Sequence, residues 1–171
     1  MKKALCLTLC LIFTLALSAS ALAAEYEPTD LFLEALEEDD FFLNGYDFEY
    51  EYIGLDSDED DRVRVDFDLD GLGERTVNVY FMDTETSCSM YLWDVIVFEE
   101  SDRGEVVEIC NALNNDYRFV RWYVMDDDTV NAQIDDIFRA GDDCGEGLVE
   151  TLSMLVRVAK VGYAHLEAYE A

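Results

Sequence analysis

From residue 46 onward, apolar and polar residues alternate along much of the chain. In residues 46–53 (YDFEYEYI), Tyr46, Phe48, Tyr50 and Tyr52 interleave with Asp47, Glu49 and Glu51, the period of a half-buried strand. The alternation returns at Val63, Val65, Phe67 and Leu69, with Arg64, Asp66, Asp68 and Asp70 on the other face, and again at Val77, Val79 and Phe81. Residues 89–98 (SMYLWDVIVF) read as a further strand, entered through a turn over 82–87. Other segments keep helical spacing. Thr29 is placed as the cap of a helix carrying Leu31, Phe32, Ala35 and Leu36, which Asn44-Gly45 ends. Val106, Val107, Cys110 and Leu113 form one stripe of a helix over 104–116. Leu148, Leu152, Leu155, Val156, Ala159 and Tyr163 form the inner stripe of a long helix over 146–166. Before it, residues 118–125 and 129–134 read as strands joined by Asp126-Asp127-Asp128. The order α-β-β-β(β)-α-β-β-α predicts an α+β fold, an antiparallel sheet with packed helices.

Residues 66–75 (DFDLDGLGER) raise a second possibility. Asp66, Asp68, Asp70 and Gly71 match the opening of an EF-hand calcium loop, but Gly73 stands where an apolar residue packs and Val77 where a bidentate glutamate belongs. The flanks are strands, so the reading is a hairpin turn with two glycines able to take positive φ.

The first 24 residues have another character. Lys2 and Lys3 precede the apolar run 4–17, and Ala21-Leu22-Ala23 forms a small-residue cleavage site. This predicts a signal peptide over 1–24, with an uncleaved anchor as the alternative. Leu9 before Cys10 argues against a lipoprotein. One domain, 29–168, follows, and the mature protein is expected to be periplasmic or extracellular, with no membrane insertion after cleavage.

Charge narrows the partners. The chain has 40 acidic and 11 basic residues, a net charge of −29, which becomes about −31 once Lys2 and Lys3 are removed with the signal. Nucleic acid and anionic membranes would repel such a molecule. Half the residues are hydrophobic, enough to form a core rather than a disordered chain. Cys88, Cys110 and Cys144 remain after cleavage; export permits a disulfide, an odd count leaves a thiol over, and whether any two pair stays open. With one histidine, His165, and no C-x-x-C, a zinc site is unsupported. His165 reads as a surface or packing residue, for want of a partner motif. No nucleophile elbow, zinc-protease helix or phosphate loop occurs, and carboxylate pairs among so many acids are uninformative. No catalytic, cofactor-binding or metal-ligating residue is assigned. The acidic patch 56–61 (DSDEDD) reads as a solvated loop, with weak cation gathering as the other option. Tyr50, Tyr52, Tyr80, Tyr91, Trp93, Trp122 and Tyr123 give an aromatic sheet, mostly core, with one face left as a protein-binding surface.

Residues 106–123 (VVEICNALNNDYRFVRWY) resemble the helix-to-strand signature of the YbjN family, with Asn111, Asn114, Arg118 and Phe119 at the matching positions. The acidic hairpin 126–128, the strand 130–135, the loop 141–147 and the closing helix follow the same pattern, and 62–81 resembles the family's first hairpin. Leu113, where a bulky aromatic is expected, and Cys110 and Cys144 at apolar positions depart from it. The resemblance implies a fold like that of type III secretion chaperones. It also implies a non-enzymatic, protein-binding role, chaperone-like or regulatory, in a family labelled as bacterial sensory-transduction regulators. It names no partner. The alternative function is an acidic cation-binding or carbohydrate-acting protein that uses its surface carboxylates.

Overall fold

A computed structural model describes residues 24, 26–82, 86–139, 141 and 144–171. The predicted signal peptide falls almost wholly outside these residues, as do positions 83–85 of the predicted turn and 142–143 of the loop before the last helix. In chain order the elements are α1 (Glu27–Glu38), β1 (Asp47–Leu55), β2 (Asp61–Leu69), β3 (Gly73–Phe81), β4 (Ser87–Val97), α2 (Arg103–Asp116), β5 (Arg121–Val124), β6 (Thr129–Ile137) and α3 (Cys144–Leu166). The strands form one antiparallel sheet in the order β1-β2-β3-β4-β6-β5. The class is α+β, and the bracketed extra strand of the predicted order is present.

The alternating residues face where their period places them. Val63, Val65, Phe67, Leu69, Val77, Val79 and Phe81 are buried, and on β4 Met90, Leu92 and Ile96 join them. On this inner face lie Phe32 and Leu36 from α1, Val106, Cys110 and Leu113 from α2, and eleven buried residues of α3. Two glycines let α3 come close. A Cβ at Gly145 would meet the Leu31 carbonyl oxygen at 2.2 Å, and one at Gly162 would meet the Trp122 ring at 2.2 Å.

Several boundaries differ from those the sequence predicts. Helix α1 begins at Glu27, with Tyr26 at the cap position and Pro28 in the first turn, where a missing N–H costs nothing. Thr29 is therefore inside the helix, not its cap, and is fully buried. Val107 is exposed, because the stripe that packs is Val106, Cys110 and Leu113. Residues 118–120 form a turn, so β5 starts only at Arg121. In the acidic patch, Asp61 is buried rather than solvated; its carboxylate accepts the Tyr26 N–H at 2.9 Å and the Tyr52 hydroxyl at 2.7 Å.

The 66–75 stretch is a hairpin. Leu69 pairs with Gly73, Leu72 N–H donates to Leu69 O at 2.8 Å, and Gly71 and Gly73 have φ of 86° and 74°. These values favour glycine. Among the described residues, no three Asp, Glu, His or Cys side chains converge as a metal-holding group.

Cys88, Cys110 and Cys144 are buried free thiols. Burial pushes the Cys88 thiol well up, with the Asp136 and Asp135 carboxylates adding to it, and burial pushes Cys110 up to about 11. A raised folded pKa favours the neutral thiol in the native state. The stability it contributes is therefore fully present below the ordinary value of 9.0 and is lost as pH rises from there. Melting temperatures followed by circular dichroism are expected to stay level up to pH 9 and fall between 9 and 11. Cys110→Ala should flatten that fall whatever it does to stability at neutral pH; an unchanged slope would show that the thiol does not drive it.

Candidate functional site

Among the described residues, the helices cover one face of the sheet and leave the other open. Register places its side chains in rows across the strands. Arg62 stands opposite Tyr80, and Tyr80 opposite Ser89. In the next row Glu51, Arg64, Asn78, Tyr91, Gln133 and Arg121 follow one another from edge to edge. In a third, Glu49 faces Asp66 and Asp66 faces Thr76.

Aromatic rings fill the middle. Tyr80, Tyr91 and Trp93 form a triangle with ring centroids 5.7, 5.8 and 6.3 Å apart. The Arg62 guanidinium lies 5.5 Å from the Tyr80 ring centre and bonds Asn78 Oδ1 through Nε at 3.1 Å. Burial, more than the neighbouring charges, raises the Tyr80 hydroxyl pKa. Trp93 follows Ser89 and Tyr91 outward by ordinary alternation, and the strand becomes irregular beside it. Leu92 pairs with Ala132 and Ile96 with Val130, so β4 has two extra residues there. Asp94 takes a positive φ of 53° and its N–H donates to Asn131 Oδ1 at 2.8 Å. A bulge of this kind re-aims side chains; here it lets Val95 and Ile96 both turn inward, and Trp93 beside it is 40% exposed.

A polar network fixes the rings. Gln133 Nε2 reaches the Tyr91 hydroxyl at 3.3 Å and Asp135 Oδ1 at 2.7 Å, and Ser89 Oγ donates to the same carboxylate oxygen at 2.7 Å. Asn78, Ser89, Asn131 and Gln133 are buried although they lie on the uncovered face, so the aromatic layer shields them. Beside it, toward β1, lies a shallow groove of about 950 Å³ whose lining includes Asp47, Glu49, Arg64, Asp68, Glu74 and Trp93. Arg64 bridges Glu51 at 3.1 Å and Asp66 at 3.0 Å, exposed pairs that contribute at most about 1 kcal/mol each.

The expectation that most of the seven sheet aromatics are core is corrected. Trp122 alone among them is buried. Tyr80, Tyr91 and Trp93 lie on the open face, since Val77, Val79 and Phe81 turning inward force Asn78 and Tyr80 outward. Tyr50 and Tyr52 are on the helix side but at the margin of the sheet, where cover is thin. His165 lies on the exposed side of the last turn of α3.

The four positions of the 106–123 signature do not gather into one surface. Asn111 is exposed on α2, Arg118 is exposed in the following turn and Phe119 is 76% exposed there. Asn114 instead ties α2 to β5. Its Oδ1 accepts the Trp122 N–H and its Nδ2 donates to the Trp122 carbonyl, both at 2.7 Å. Neither a family model nor a curated protein matches the chain.

Proposed function

We infer that the protein is an exported, non-enzymatic binding module of YbjN-like type, chaperone-like or regulatory, that presents the open face of its sheet to a protein partner. The observation that carries this reading is the Tyr80–Tyr91–Trp93 cluster on a face that no helix of the described residues covers. Rigid aromatics held by a satisfied polar network have the composition of a binding hot spot, with anchors in the middle and charges at the rim. The side chains around them are engaged with one another: the Ser89 and Thr76 hydroxyls donate to Asp135 and Asp66, and the chain's one histidine, His165, lies on α3. The strong negative charge supports recognition by steering a complementary partner.

A photo-crosslinking residue at position 93, in the exported protein in its host, is expected to trap a discrete partner, and one at Val161 on the helix side is not. Trp93→Ala should weaken capture about 30-fold, the effect of losing a hot spot of about 2 kcal/mol, with melting unchanged. Equal trapping from both positions would sink the reading. So would turnover of a substrate that disappears when one carboxylate on this face is changed to its amide.

A further inference from the structure

The two margins of the sheet are treated differently. At the β5 margin the Trp122 N–H and carbonyl are both taken by the Asn114 side-chain amide, which imitates the peptide group of a further strand. Among the described residues, the β1 margin has no such cover. β1 pairs with β2 alone, and none of the loop or turn backbone hydrogen bonds among the described residues reaches 47–51. A bare edge offers unpaired N–H and C=O groups to an extended chain, and the charges along it decide which chains can pair there.

The charges at this margin are also unbalanced in one direction. Asp47 stands directly opposite Asp68, Glu49 opposite Asp66 and Asp68 opposite Glu74. Like charges in such cross-strand positions are destabilising. Arg64 compensates Glu51 and Asp66, whereas Asp47, Glu49, Asp68 and Glu74 have no ion-pair partner among the described residues. On the helix side, β1 presents Phe48 and Tyr50, the latter 37% exposed. Beyond Tyr52 the register shifts and Gly54 takes a φ of 94°, so the regular edge is 47–51.

We propose that the edge of β1 over Asp47–Glu51 is a strand-pairing site for an extended segment of another protein in which basic and apolar residues alternate. Its lysines or arginines lie over Asp47, Glu49 and Asp68 on the open face, and its apolar residues extend the helix side beyond Phe48 and Tyr50. A second copy of this chain is a poor occupant. Antiparallel self-pairing that keeps the faces aligned sets Glu49 against Glu49 and Asp47 against Glu51. The acidic edge thus repels itself and accepts its opposite. The site adjoins the open face but does not depend on the protein-binding role assigned to that face.

The test uses the whole mature chain and three blocked synthetic octapeptides: alternating valine and lysine, alternating valine and glutamate, and the lysine peptide N-methylated along one edge. The lysine peptide is expected to bind, by calorimetry, and to slow amide hydrogen exchange within 47–51. N-methylation should weaken it at least tenfold, because it removes the backbone donors that pairing needs. The glutamate peptide should not bind to the native chain, and the double variant Asp47→Lys/Glu49→Lys should exchange the preference. Trp93→Ala should leave the peptide affinity unchanged. Full affinity for the N-methylated peptide would reduce the interaction to charge attraction and overturn the proposal. Protection outside 47–51, or loss of peptide binding in Trp93→Ala, would place the peptide on the open face and overturn the edge site while leaving the face reading intact.

Discussion

Trp122→Ala is expected to remove about 3–5 kcal/mol of stability, the range for truncating a buried aromatic. That is a large part of the about 5–15 kcal/mol that holds a typical domain folded. Trp122 is 2% exposed, and its ring lies against α3 where Gly162 leaves room. The fit is close enough that a methyl at 162 would stand 2.2 and 2.3 Å from Cζ2 and Cη2. Gly162→Ala should therefore destabilise by about 1–3 kcal/mol through overpacking, despite the gain of up to about 1 kcal/mol in helix propensity. Combining Trp122→Leu with Gly162→Ala should cost less than the two single changes together, because the smaller side chain vacates the space that the methyl enters. Urea unfolding of the four proteins closes the cycle, and a coupling below about 0.5 kcal/mol would show that the contact does not constrain the helix. Trp122→Phe should be the mildest change, since the indole Nε1–H is buried without a partner and its removal relieves an unsatisfied donor.

Asn114→Ala should cost about 2–4 kcal/mol, although the side chain is small and partly accessible. The loss leaves both backbone groups of Trp122 without partners, and each buried polar group so orphaned costs about 1–3 kcal/mol. Asn114→Asp should not restore the loss: a carboxylate still accepts the N–H but faces the Trp122 carbonyl with like polarity. Hydrogen exchange over 121–124 should quicken in both variants. A variant within about 0.5 kcal/mol of the parent would mean that water replaces the amide at this edge.

The asparagine at 114 marks the limit of what the linear pattern carries. Period-2 alternation places Val63 to Leu69 and Val77 to Phe81 on the helix side, and the structure has them buried. The same parity puts Tyr80 outward, between neighbours at 79 and 81 that turn inward; aromatic content alone points the other way, toward the core, and misleads. Other features leave no local trace. The two-residue excess in β4 that lets Val95 and Ile96 both be buried is defined only against β6, a strand far along the chain. Asp61 looks like the end of an acidic run because the Tyr26 N–H and Tyr52 hydroxyl that hold it come from distant segments. Thr29 is a different case: Pro28 just before it is a local sign of a first turn, and the helix starts at Glu27. The like-charged pairs Asp47–Asp68 and Glu49–Asp66 need the register between two strands, which the periods alone do not give.

The helix that places most buried residues on the inner face follows all six strands in the chain. Strands β2, β3 and β4 are complete by Val97, whereas the eleven buried residues of α3 arrive only between Cys144 and Leu166. At a synthesis rate of about 5–20 residues per second, an emerging chain passes several seconds with its apolar sheet residues lacking their cover. A chain that stops before Cys144 lacks those eleven residues, so the core cannot close until α3 has been made.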